Sequence, residues 1–136
     1  MHFAKMLAAA VLTVGIATAP ALAADPTGTW QSTSGESRYN VTYCGDGTQL
    51  CAKLTWLRED ARTEENLAYL GRFVVKGAQP TSDSSWAGKV AYAGDVFDGS
   101  VTMQGNNALK LKGCQGMFCK SMNFVRAQTR EASARR

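Results

Sequence analysis

Apolar and polar residues alternate in short runs along most of this chain, and the clearest run is Arg38 to Leu57, RYNVTYCGDGTQLCAKLTWL. With Gly47-Thr48 as a two-residue loop, glycine takes the first central position, where a type II′ turn needs a positive φ. That register sets Tyr43 against Ala52, Val41 against Leu54 and Tyr39 against Trp56 on one face. Cys44 against Cys51, Thr42 against Lys53 and Asn40 against Thr55 share the other. One apolar and one polar face predict a half-buried antiparallel hairpin. The end of the chain repeats the arrangement: with Gly116-Met117 as the loop, Leu111 faces Met122 and Leu109 faces Phe124, while Cys114 faces Cys119, Lys112 faces Ser121 and Lys110 faces Asn123.

The remaining pattern is mostly strand-like. Gly28 to Gln31 opens a first strand, which ends in the turn-rich segment Ser32 to Glu36. Asp60 to Gly71 predicts a short helix of about two turns, capped by Asp60 or Thr63, with Leu67 and Leu70 on its inner face and Gly71 ending it. Arg72 to Lys76 reads as a strand and Gly77 to Ser85 as a polar loop. Trp86 to Tyr92 and Val96 to Met103 are further strands, separated by Ala93-Gly94-Asp95, and Asn106-Asn107 makes a turn. Short strands, frequent turns and one short helix predict an all-β, small antiparallel meander barrel of about eight strands, with the helix over one end. At that strand number the interior is filled by side chains or holds one small ligand. Closure leaves no sheet edge to pair, and a monomer is expected.

The start of the chain changes the setting. Lys5, the apolar run Met6 to Thr18 and the small-x-small triplet Ala21-Leu22-Ala23 predict a cleaved signal peptide over residues 1–23. A single barrel domain is then expected over 24–127 and a basic, disordered tail over 128–136. No later apolar run could span a membrane, so the mature protein is expected in the bacterial periplasm or secreted. The net charge of +4 falls to +3 without Lys5, and the tail carries +2 of that. The folded part is nearly neutral, which argues against nucleic acid as a partner.

Export makes disulfides the expected state of the four cysteines, and four allow three pairings. Both hairpin registers favour Cys44–Cys51 with Cys114–Cys119, although a crossed pairing stays open. A zinc site is disfavoured because neither spacing is Cys-x-x-Cys. The single histidine, His2, leaves with the signal, which removes triad catalysis, histidine metal sites and covalent c-type haem. Glu64-Glu65 reads as charge at a helix start, and Asp95 and Asp98 flank a turn. No catalytic residue, metal or cofactor is therefore expected. Were there an enzyme, Asp95, Asp98 and Tyr92 would be its candidate groups. The Asn40-Val41-Thr42 triplet lies in a strand and is set aside as a glycosylation site.

Several of these segments match a known pattern. Gly28-Thr29-Trp30, the strand ending in Cys44-Gly45, Leu50 to Leu57, Gly113-Cys114-Gln115-Gly116 and Phe124-Val125-Arg126 resemble the domain-of-unknown-function family DUF2147, small exported bacterial proteins. The resemblance implies a periplasmic or secreted protein with a lipocalin-like (calycin) barrel and no established activity. Gly28-x-Trp30 with a terminal Arg126 is also similar to the calycin signature, in which an arginine lies over the tryptophan ring and closes the barrel base, a structural role.

The leading functional expectation is a non-enzymatic barrel that binds a small apolar or amphipathic ligand at a mouth lined by Tyr39, Trp56, Tyr92 and Phe124. The alternative is a protein-interaction module, such as an inhibitor of an envelope-attacking hydrolase, acting through the stapled hairpin tips near Asp46 and Gly116-Met117.

Overall fold

The computed structural model describes residues 25–127 apart from Ala93; the expected signal peptide and basic tail lie outside the described residues. Eight antiparallel strands follow one another around a closed barrel: β1 (Gly28–Ser32), β2 (Ser37–Cys44), β3 (Gln49–Leu57), β4 (Phe73–Ser82), β5 (Ser85–Tyr92), β6 (Asp95–Met103), β7 (Ala108–Gln115) and β8 (Phe118–Arg126). Each pairs with its sequence neighbour, and β8 returns to β1 through Trp30 opposite Arg126 and Ser32 opposite Phe124. This is the meander that the alternation predicts.

Up-and-down order sorts the connections. The β2–β3, β4–β5 and β6–β7 turns lie at one end, the base, together with residues 25–27 and Ala127. The other four connections surround the opposite end. The base is solid: Trp30, Leu50, Ala78, Trp86, Met103 and Leu109 are buried together. Trp30 Nε1 donates to the Pro26 carbonyl at 2.8 Å and Trp86 Nε1 to the Thr48 carbonyl at 3.1 Å, so both indoles bury their rings without stranding a donor. Arg126 closes this end. Its guanidinium lies 4.1 Å from the Trp30 ring centroid, Nη1 donates to Thr27 O, Nη2 to Asp25 O and Nε to Asn106 O.

The last hairpin has the register read from sequence, with Gly116 at φ +60° in its two-residue loop and Cys114 bonded to Cys119 directly opposite. The first hairpin differs. Its loop is the four residues Gly45 to Thr48, in which Gly45 (φ +62°) and Gly47 (φ +95°) both take left-handed conformations. Asp46 Oδ1 accepts from Thr48 N at 2.9 Å and Thr48 Oγ1 at 2.6 Å. That side-chain turn competes with ladder pairing and widens the loop. Partners shift by two, so Tyr43 faces Leu50, Val41 faces Ala52 and Tyr39 faces Leu54. A shift of two keeps every side chain on its face. The cysteines stay outside but are no longer opposite, and the Cys44–Cys51 bond runs diagonally with Cα atoms 6.0 Å apart.

A bulge between Arg38 and Tyr39 then reverses Trp56. Tyr39 pairs with Leu54 but Arg38 pairs with Trp56, leaving Thr55 as the extra residue. Trp56 is turned to the outer surface, where Arg38 lies 4.5 Å from its ring centroid.

The other differences concern β4 and the helix. β4 runs on through Gly77 to Ser82, where a polar loop was expected, because Gly77 at φ +68° forms a bulge that lets the strand continue past Pro80 with a turn only at Asp83-Ser84. The expected helix is a 3-10 turn, Glu59–Ala61, followed by a single α-turn, α1 (Glu64–Leu67), capped by Thr63 Oγ1 accepting from Asn66 N. Leu67 faces solvent; Ala61, Tyr69 and Leu70 pack instead against Leu54 and Leu57. This segment covers part of the barrel end opposite the base.

Candidate functional site

Above the packed base the barrel holds a cavity of about 270 Å³. Its floor is Trp30, Leu109 and Phe124. Val41, Val74, Val75, Val90, Val101 and Leu111 form its walls, and Tyr39, Tyr92, Phe97, Gly113, Lys120 and Met122 surround its upper part. Tyr92 and Lys120 are exposed, so the cavity reaches solvent at the end away from Arg126.

The space has a sequence cause. Gly88 pairs with Gly99, Gly99 with Gly113, and Gly113 with Lys120, so one row across β5 to β8 turns three consecutive glycines inward. Strand glycines suit the tight bends of a small barrel and leave no side chain to fill it. Their reasons differ. A Cβ on Gly99 would overlap Val90 Cγ2, and one on Gly88 would come within 3.0 Å of Ala78 Cα, so packing dictates both. A Cβ on Gly113 would lie 3.5 Å from Phe97 Cβ, an ordinary contact. At that position only the cavity gains from glycine.

Of the four residues expected at the mouth, three border the cavity, and Phe124 does so at the floor and not at the mouth. The Tyr39 ring meets Phe124 edge-on at 5.4 Å between centroids, and Tyr92 is at the rim. Burial pushes the Tyr39 phenol above its ordinary pKa, and nearby Tyr92 acts in the same direction. Trp56 is not among the lining residues, since the Thr55 bulge turns it outside. A smaller cleft of about 70 Å³ adjoins the cavity beneath the Glu59 to Leu70 segment and shares Tyr39, Val74, Ala91, Tyr92 and Met122 with it. Tyr69, on that segment, accepts at its hydroxyl from Gly94 N at 2.9 Å, tying the cover to the β5–β6 turn.

A family model described as "Uncharacterized protein conserved in bacteria (DUF2147)" matches residues 28–126. The chain belongs to the DUF2147 family. No curated protein matches its sequence. Among solved structures, a redesigned beta barrel is similar at 13% identity and a TM-score of 0.45, over 74% of this chain and 86% of that one.

In this DUF2147 chain the carboxylates considered for chemistry do not converge on the cavity. Asp98 faces outward and pairs with Lys89, and Asp95 sits at the end of β6 and does not line the cavity. The residues missed from sequence are Gly113 and Lys120. The correct register of the last hairpin already held the signal: with Cys114 and Cys119 outside, their neighbours Gly113 and Lys120 fall on the inner side.

Proposed function

We propose that this DUF2147 protein is an exported, non-enzymatic barrel of the bacterial periplasm or exterior that holds a small apolar or amphipathic ligand. The observation that carries the reading is the apolar cavity of about 270 Å³ above a sealed base. A barrel of this strand number has interior room for packed side chains or for one small molecule, and Gly113, which borders the cavity and is not required by packing, favours the second. The two disulfides fit an oxidising compartment. Titration with the neutral fluorophore phenylnaphthylamine tests the proposal: saturable binding is expected, lost in Gly113→Leu and kept in Gly113→Ala. A fluorophore that does not saturate, or that binds Gly113→Leu as well as wild type, refutes it.

The interaction-module reading has one observation of its own. Met117 and Phe118 are 97% and 84% exposed at the stapled β7–β8 tip, two adjacent large apolar side chains in water. The tip near Asp46 lies at the opposite end of the barrel and cannot share a surface with it. Capture of one stoichiometric protein from periplasmic extract, abolished by Met117→Ser with Phe118→Ser, is the result this reading requires.

A further inference from the structure

We infer that the cavity selects an anionic amphiphile, bound with its apolar tail toward Trp30 and its charged head beside Lys120. This inference rests on the cavity reading above.

The floor offers nothing to a polar group. Both indole donors near it are committed, Trp30 to Pro26 O and Trp86 to Thr48 O. Among the described residues no buried side-chain nitrogen or oxygen lacks a partner. A ligand hydroxyl or carboxylate driven to the floor would lose its water and gain no hydrogen bond, a penalty larger for a charged group than for a neutral one. The deep end therefore accepts only hydrocarbon.

The charge in the cavity lining is at the rim, and it is positive. Among the described lining residues Lys120 alone carries a formal charge. It belongs to none of the ion pairs among those residues, which are Arg58 with Glu36 and Asp60, and Lys89 with Asp98. Its cross-strand neighbour on β7 is Gly113, which has no side chain to cover the ammonium or to fill the space beside it. The carboxylates at this end, Asp95 at the start of β6, Glu36 beside the adjoining cleft and Glu65 near Gly94, lie outside the cavity lining.

Volume sets the tail. At ~30 Å³ per water-sized group, the cavity admits about nine such groups, which suits a single medium-length chain and excludes a two-chain lipid.

The experiment is displacement of phenylnaphthylamine by decanoate, decanol and decylammonium, from wild type, Lys120→Gln, Lys120→Arg and Asp95→Asn. Decanoate is expected to displace at the lowest concentration. Lys120→Gln should weaken decanoate about 2- to 5-fold, the range for an exposed charge pair, and leave decanol unchanged. Lys120→Arg should restore decanoate, and Asp95→Asn should strengthen it. Equal displacement by decanol and decanoate, or equal weakening of both by Lys120→Gln, overturns the anion preference while the cavity reading stands. If the fluorophore binds and none of the three displaces it, the amphiphile class falls; if the fluorophore itself never saturates, the cavity reading falls with it.

Discussion

Replacing Arg126 tests how the barrel is closed. Its guanidinium lies over the Trp30 ring and donates to three carbonyls, on Asp25, Thr27 and Asn106, that belong to the segment before β1 and to the β6–β7 turn. A cation over an aromatic face is worth ~0.5–1 kcal/mol at a partly exposed site. Each hydrogen bond contributes ~0.5–1.5 kcal/mol, with the solvent-facing ones at the low end. Arg126→Ala should therefore cost about 2–4 kcal/mol, out of the 5–15 kcal/mol typical of a domain this size. Arg126→Lys keeps the charge over the ring, but an ammonium on a single stem cannot reach three separated carbonyls, so about 1–2 kcal/mol should still be lost. Urea unfolding followed by tryptophan fluorescence reads both, as a lower midpoint at unchanged slope. Gly28→Ala should be destabilising too, chiefly because Gly28 sits at φ +127°, with a Cβ there also crowding Arg126 Nη1 at 3.0 Å. If Arg126→Lys unfolds at the wild-type midpoint, the three-way fork does not hold the base. If Arg126→Ala costs under ~0.5 kcal/mol, strand pairing alone closes the barrel.

The glycine row makes a paired prediction: Gly99→Ala should lose ~1–3 kcal/mol through overlap with Val90, whereas Gly113→Ala should unfold near the wild-type midpoint. Replacing Cys44 and Cys51 together by serine should cost ~2.5 kcal/mol by loop-closure entropy, read by the same urea titration with and without reductant. Tyr39 predicts an alkaline effect. Because its folded pKa is raised, its contribution is fully present below the unfolded value of about 10 and is lost as pH rises through the folded value. Wild type should lose stability over that window relative to Tyr39→Phe, and parallel pH profiles for the two would contradict the buried phenol.

What could be read from sequence depended on how tightly local chemistry limits the choices. The β7–β8 register was legible because Gly116 permits a two-residue loop and two cysteines then fall opposite one another. The β2–β3 register was not, since Asp46 and two glycines stabilise a wider loop that preserves the same face pattern. Trp56 was misplaced by a single extra residue, the smallest change that reverses a face. The far half of β4 looked like a loop because Gly77 and Pro80 are turn residues in isolation, and only the barrel's curvature makes a bulge there useful. At the site, Tyr39, Tyr92 and Phe124 followed from alternation. Gly113 did not, because alternation registers side chains that are present, and a cavity is built from those that are missing.

The Arg126 contacts also join the two ends of the described chain. Asp25 and Thr27 are held by the last residue of the last strand, and Ala127 N donates to Thr29 O at 2.9 Å. The order of strands is thus circular in space, and the point at which the chain begins is incidental to the ring of pairings. A permuted chain that links Ala127 to Asp25 by a short tether and starts at Met117, in the exposed tip, retains every ladder and places its new ends beside the mouth. Fluorescent or affinity domains fused there would report on occupancy of the cavity, whereas domains joined directly to Asp25 or Ala127 would sit at the sealed base.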